Sequence, residues 1–452
     1  MADIVFLAVW VVAIVLCVPR MLSGTLLEVR TANGQWWPMW LYQQFAWVLP
    51  APVLLATMGV TAFPTTLQVV RDSQTFQISV WVLYAATFFF IAVALCVRML
   101  PKRWVRCHDD EISRCSLSRF AWIALGMGIV IMAVGIAFLG YHHAILDAVI
   151  AGEGLSKSRI ANKYSTDLPS QAQFVMDVAA WIGAVQAGYS FAWRRRWTAA
   201  AYFVVATTLA GAGGGKAPVV AQVLLAVMGY LVASRRPLNM RLMTVGLLVG
   251  VPSFIYLIHY IVALQIPELT LTKFLGYLFD RLFMAQMAGT YDGLALGQLH
   301  GAFHWHMIPF ASLFEQYIPY DKSLMMYVEG YDFTAVGVKN SFFISEAFGI
   351  GGYGLVLVSP FIVGVSFVAG IGLTYGTLRA MFGYSVARMY FLPLSLQFMS
   401  VTGGFSSFPL FKGYILFFLV LGTIWIPWCL MSLLPRRTPC PGTEVYSKAE
   451  SC

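Results

Sequence analysis

Charge is scarce in this 452-residue chain: Asp, Glu, Lys and Arg together make up 11% of it, where a water-soluble surface takes about 25%. That shortage excludes a soluble enzyme, a nucleic-acid-binding module and a disordered scaffold, because apolar residues fill 59% of the sequence and must face lipid or one another. Acidic residues are scarcer than basic ones, 20 against 29, a balance that reflects basic loops at a cytoplasmic membrane surface rather than a nucleic-acid partner. Cysteine is sparse as well, with seven in all. Cys17, Cys96 and Cys429 fall in apolar runs, and Cys107, Cys115, Cys440 and Cys452 in segments read as cytoplasmic. No disulfide framework is implied, and Cys107-His108 with Cys115 is too sparse for a zinc site. The ten-residue polar and apolar alternation of an outer-membrane barrel is also missing.

What the chain has instead is long apolar runs. Spans of about 20 apolar residues are expected at 2–18, 42–63, 77–97, 120–140, 173–193, 197–212, 217–234, 242–264, 342–373, 389–408 and 413–434. They must be helices, because a backbone in hydrocarbon has to satisfy its own hydrogen bonds. The expectation is an all-α polytopic membrane protein with about 11 (10–12) transmembrane helices, forming a single integral domain over 1–452. Basic clusters set the orientation: Arg98, Lys102, Arg103, Arg106, Arg114 and Arg119 in one loop, Arg194-Arg195-Arg196 in another, and Arg235, Arg236 and Arg241 in a third. These loops and the 435–452 tail are cytoplasmic in this reading, and the N-terminus is outside. The first 18 residues lack the basic start and small-residue cleavage site of a signal peptide, so they are read as a span. Two outer segments, 141–172 and 265–341, are too long to be mere connectors.

Sequence motifs for nucleotide or metal chemistry do not appear. In Gly211-Ala212-Gly213-Gly214-Gly215-Lys216-Ala217 the first glycine of a phosphate loop is replaced by Ala210 and its Ser/Thr by Ala217, so this is not a Walker motif. Those glycines permit a sharp turn between two spans and leave Lys216 at the outer face where the next helix begins. A lysine there either snorkels to the interface or binds an anion at a helix start. Lys157, Arg159 and Lys163, with Arg281 in Phe279-Asp280-Arg281-Leu282-Phe283, are further cations on the disfavoured outer side and suggest an anionic ligand. Asp280 or Asp292 could instead pair with Arg281. His300, His304 and His306 read better as an interfacial aromatic segment than as metal ligands. His259, inside a span, is either functional or bonded to a neighbouring helix.

Most information lies in Lys339-Asn340-Ser341-Phe342-Phe343-Ile344-Ser345-Glu346-Ala347-Phe348-Gly349-Ile350-Gly351-Gly352-Tyr353-Gly354. Here Glu346 stands near the hydrocarbon edge, where a carboxylate is costly unless it is paired or used, and the glycines allow close helix packing. A polar pair, an acidic residue and a Phe-Gly-x-x-Gly stretch at the end of a large outer loop resemble the bacterial O-antigen polymerases (Wzy-type oligosaccharide repeat-unit polymerases) and the related O-antigen ligases. Gly214-Gly215-Lys216 at a helix start resembles the basic turn of those families, commonly Ser-Arg-Gly, and Asp280-Arg281 with Gln286 resembles their arginine at the loop entry. The layout is similar over nearly the whole chain. Two positions depart from it: Lys339-Asn340 stands where a ligase has His-Asn, and Lys216 lacks the bidentate geometry of arginine.

The resemblance implies a GT-C-like fold in the bacterial inner membrane, with 141–172 and 265–341 as periplasmic loops. It implies transfer of a growing chain from undecaprenyl diphosphate to the next lipid-linked repeat unit, with a chain-length regulator as a possible partner. Cations must then stabilise the departing diphosphate. Arg281 and Lys216 are the expected groups, Glu346 the expected base, and Lys157, Arg159, Gln286, Lys339 and Asn340 the expected substrate contacts. No cofactor, metal or nucleic acid is expected. The alternatives are a lipid-linked oligosaccharide flippase or another transporter, which should carry broken helices around a central site, and an O-antigen ligase-like transferase.

Overall fold

The computed structural model of the protein describes residues 1–29, 36–64, 66–101, 104, 113–141, 143, 170–212, 216–234, 270–271, 274, 276, 279–300, 320–329, 340–398, 404–405 and 412–433. Among the described residues there is no strand. The helices are α1 (Ala2–Met21), α2 (Met39–Val48), α3 (Pro50–Met58), α4 (Asp72–Val97), α5 (Arg114–Phe138), α6 (Ser170–Ala192), α7 (Arg196–Gly211), α8 (Lys216–Ser234), α9 (Ala285–His300), α10 (Tyr320–Glu329), α11 (Phe343–Phe382), α12 (Tyr384–Phe398) and α13 (Lys412–Leu433). A π-helical turn, Asp280–Met284, leads into α9. By length and composition α1, α4, α5 and α11 can each cross a membrane, which makes this a helical, membrane-embedded protein. Shorter apolar stretches lie within α8 (Pro218–Ser234) and α13 (Ile415–Met431); the expected span at 242–264 lies outside the described residues.

Side-chain contacts fix the directions of α1 to α4. Alongside α4, α1 runs in the same sense: Phe6 meets Phe76 at 6.2 Å, Trp10 Nε1 donates to Thr87 Oγ1 at 3.0 Å, and Arg98 donates to the Met21 carbonyl at 3.2 Å. The expected span 42–63 is two helices. Pro50 lacks the N–H an uninterrupted helix would use, and the chain divides there into α2 and α3. Together they run against α4, from Phe45, whose ring lies 4.3 Å from Phe90, to Val60, whose N–H donates to Asp72 at 2.8 Å.

Basic residues gather at one end of the bundle. There the Ser113 N–H donates to Ser385 Oγ at 3.0 Å, the Arg114 guanidinium stacks 5.2 Å from the Trp193 ring, and Arg119 donates to the Trp428 carbonyl at 2.8 Å. Met1 and Asp72 share a cavity at the other end. Close helix approach in the middle depends on small residues: a side chain at Gly188 would fall on the Ala226 carbonyl, and one at Gly229 would lie 2.7 Å from the Val185 carbonyl. Cys115 is disulfide-bonded, to a partner outside the described residues, although the sequence reading implied no disulfide. Cysteine count and compartment do not specify spatial proximity, which is what permits the bond.

The largest departure from the sequence reading is in α11, expected as a simple span over 342–373. Its backbone leaves helical geometry at Gly351 and Gly352, the latter with φ 61°, a left-handed conformation open to glycine. The chain reverses there. Phe343 lies 6.4 Å from Phe89, and Tyr353 then lies 5.4 Å from Trp81, nearer the start of α4. Tyr84 donates to the Leu357 carbonyl, Phe361 meets Phe88, and Phe367 returns to Phe89 at 5.7 Å. A straight helix rises about 1.5 Å per residue and could not bring Phe343 and Phe367 to the same ring. So 343–350 is a short arm folded against the long arm 353–382. Glu346 therefore belongs to a reversed half-helix rather than to the first turn of a continuous span.

Candidate functional site

The short arm of α11 lies along α9, and both run in the same direction. At the base of this pair Asn340 Nδ2 donates to Gln286 Oε1 at 3.0 Å, and the Gly289 N–H donates to the Asn340 carbonyl at 2.9 Å. The Phe342 N–H, unsatisfied within the arm because it precedes the first turn, donates to Thr290 Oγ1 at 2.7 Å. Ser345 Oγ donates to the Gly289 carbonyl at 2.8 Å. Two glycines make this proximity possible. Any side chain at Gly293 would strike the Ser345 and Tyr320 hydroxyls, and any at Gly297 would strike the Phe348 ring.

Glu346 is 3% exposed and its carboxylate lies against the backbone of Gly404. From above, α10 contributes Tyr320, whose hydroxyl is 2.6 Å from Ser345 Oγ. Since Ser345 donates onward to Gly289, Tyr320 is the donor of that pair. Burial pushes the Tyr320 hydroxyl pKa well up, Ser345 partly offsets this, and the nearby charges of Glu346 and Asp292 add to it. The hydroxyl therefore remains protonated and keeps its donor role.

Two further carboxylates meet the strap between α3 and α4. Asp292, fully buried, accepts backbone N–H groups from Gln68, Val69 and Val70 at 3.2, 3.0 and 3.1 Å on Oδ1, with Gln68 also 3.3 Å from Oδ2. Such charge-assisted bonds are the strong kind. Asp280, in the π-helical turn, accepts from Thr66 Oγ1 at 2.7 Å through Oδ2. Tyr291 joins α9 to α4 through Ser79, 3.0 Å away, and Ser79 also lines the cavity of about 310 Å³ between α1, α3 and α4.

Of the residues singled out from sequence, Gln286, Asn340 and Glu346 fall on these two adjoining segments. Lys216 opens α8 and Arg281 is the second residue of the π-helical turn; the side chains of both, like the whole of Lys157, Arg159 and Lys339, lie outside the described residues. Sequence reasoning missed Thr66, Thr290, Tyr320 and Ser345, and named Asp292 only beside Asp280 as a carboxylate that could pair with Arg281. Asp292 was the most discoverable of these, a carboxylate among Gly289, Tyr291 and Gly293. Among the described residues no three His, Cys, Asp or Glu side chains are grouped to hold a metal ion. The arrangement gathers one carboxylate with several hydroxyl and amide groups, most of them buried, where α9 meets the short arm. No family model matches the chain, and no curated protein or solved structure matches it.

Proposed function

We propose that the protein is a glycosyltransferase that polymerises lipid-linked oligosaccharide repeat units at the periplasmic face of the bacterial inner membrane. One observation supports this most: Gln286, Asn340 and Glu346, three of the residues that carry the resemblance to O-antigen polymerases, belong to segments laced together by the Asn340–Gln286, Phe342–Thr290 and Ser345–Gly289 hydrogen bonds. In this reading the fold is GT-C-like and no metal is used. An acceptor hydroxyl attacks the anomeric carbon, the carbon–oxygen bond to diphosphate breaks, and undecaprenyl diphosphate departs. Arg281 and Lys216 stabilise the charge that develops on the leaving group. Lys157, Arg159 and Lys339 hold the rest of the substrate, Glu346 takes the hydroxyl proton, and a chain-length regulator is the expected protein partner.

A second reading, transport of the lipid-linked oligosaccharide, is favoured by the break in α11, since discontinuous helices surround many transporter sites. An O-antigen ligase is disfavoured by Lys339 at the position of the ligase histidine. Deleting the gene and analysing surface polysaccharide separates these readings. A polymerase deletion leaves single repeat units on the lipid core, a flippase deletion leaves them on the inner face of the membrane, and a ligase deletion leaves long polymer on the carrier. Either of the last two outcomes overturns the proposal.

A further inference from the structure

The 66–70 strap holds two carboxylates, and it satisfies only one of them. Asp292 uses both oxygens on backbone N–H groups. Asp280 uses Oδ2 on Thr66, while its Oδ1 is buried and, among the described residues, has no hydrogen-bond partner. The residue is 9% exposed. A buried carboxylate oxygen without a donor is costly, and natural structures keep such groups where something else supplies the donor. Its position argues the same way. Asp280 opens a π-helical turn, a distortion that frequently marks functional sites, and it precedes Arg281 and the α9 segment that carries Gln286. If the fold alone required a carboxylate here, the strap could saturate it as it saturates Asp292.

We propose that Asp280 Oδ1 is a sugar-binding subsite that accepts a hydrogen bond from a hydroxyl of the lipid-linked oligosaccharide, with Thr66 fixing the orientation of the carboxylate. The inference rests on the transfer reading and adds a residue to it. Asp280 contributes binding and orientation, so its loss raises KM more than it lowers kcat. A hydrogen bond to a charged group carries about 10- to 100-fold in affinity.

The test uses the full-length protein in membrane vesicles, with lipid-linked repeat unit extracted from cells lacking the gene as substrate, and follows the initial rate of dimer formation against substrate concentration. Asp280→Asn and Asp280→Ala should raise KM about 10-fold or more, with kcat within about threefold. Thr66→Val, which removes the donor to Oδ2 at a half-buried position, should raise KM about threefold to tenfold. An unchanged KM in the Asp280 variants overturns the subsite. Should those variants fail to accumulate, an unchanged KM in Thr66→Val overturns it instead. If the wild-type protein forms no dimer, the transfer reading falls and takes the subsite with it; dimer formation by wild type with equal KM in the variants removes the subsite alone.

Discussion

Asp292 offers the sharpest test of how the site is held, because its two oxygens do unequal work. Replacing Asp292 with Ala leaves three backbone donors without their acceptor. Gln68 is exposed and Val69 half-buried, so water replaces much of what they lose; Val70 is buried and bears most of the desolvation penalty, about 1–3 kcal/mol. Adding about 0.5–1 kcal/mol for each of the other two gives a cost of about 3 kcal/mol. Asp292→Asn behaves differently. Three of the four contacts converge on Oδ1 and only Gln68 reaches Oδ2, so an amide with its oxygen at the Oδ1 position keeps all but one contact and loses mainly charge. Neutral hydrogen bonds have roughly half the strength of charge-assisted ones, and the expected cost is about half that of the alanine change. Thermal unfolding of the purified protein in detergent, followed by tryptophan fluorescence, should rank wild type above Asn and Asn above Ala. An alanine variant as stable as wild type, or an asparagine variant as damaged as alanine, would refute the assignment of the strap to Asp292.

Other substitutions probe the chemistry. Gly404→Ala directs a methyl group into the Glu346 carboxylate; long polymer should disappear from silver-stained polysaccharide gels while the protein stays at normal abundance, and unchanged polymer would remove Glu346 from the reaction. Arg281→Ala and Lys216→Ala should each abolish polymer. Arg281→Lys should lose at least about tenfold in rate because the bidentate fork is gone, whereas Lys216→Arg should be tolerated; a fully active Arg281→Lys enzyme would point to a lipid anchor. Tyr320→Phe and Ser345→Ala remove opposite ends of one hydrogen bond, so their combined effect on unfolding free energy should fall short of the sum by about 1 kcal/mol. Strict additivity would mean that Tyr320 does not tie α10 to the arm.

How much of this was legible in the sequence depends on whether the information is local. Runs such as Ala2–Met21 and Asp72–Val97 announce themselves because every residue contributes to the same apolar count. Gln286 and Asn340 stand in the sequence as two separate fragments of one resemblance, with nothing to pair them, and the hydrogen bond between them closes a separation of 54 residues. The bonds from the strap to Asp292 span more than 220 residues, and no spacing rule reaches that far. From the sequence Asp292 is only one of two carboxylates, with Asp280, that could pair with Arg281, because donors so distant along the chain leave no local signal. The strap supplies its donors from outside the helix. The bond at Cys115 was missed for a similar reason, since compartment arguments address stability in a given redox setting and not proximity.

The reversal at Gly351-Gly352 shows the same principle with a functional consequence. The glycine pair was visible and was read as a surface for close packing, an equally good use of a missing side chain. Hydropathy could not choose between the readings, because an apolar arm folded back within the bundle scores the same as one continuing straight through it. What decides is the set of groups the arm presents. Ser345 is costly beside lipid and inexpensive beside α9, where Gly289 supplies its acceptor and Gly293 leaves room for its hydroxyl, while the Glu346 carboxylate, costlier still beside lipid, lies against Gly404. The reversal delivers Ser345 to α9, and Thr290 satisfies the Phe342 N–H that starting a new half-helix there would leave open. A polar arm held in this way is the element that both transfer and transport would need. Transfer requires it to stay fixed while a bond is made, so a cross-link holding Asn340 to Gln286 should preserve chain synthesis, whereas a transporter that alternates its arm would be stopped by it.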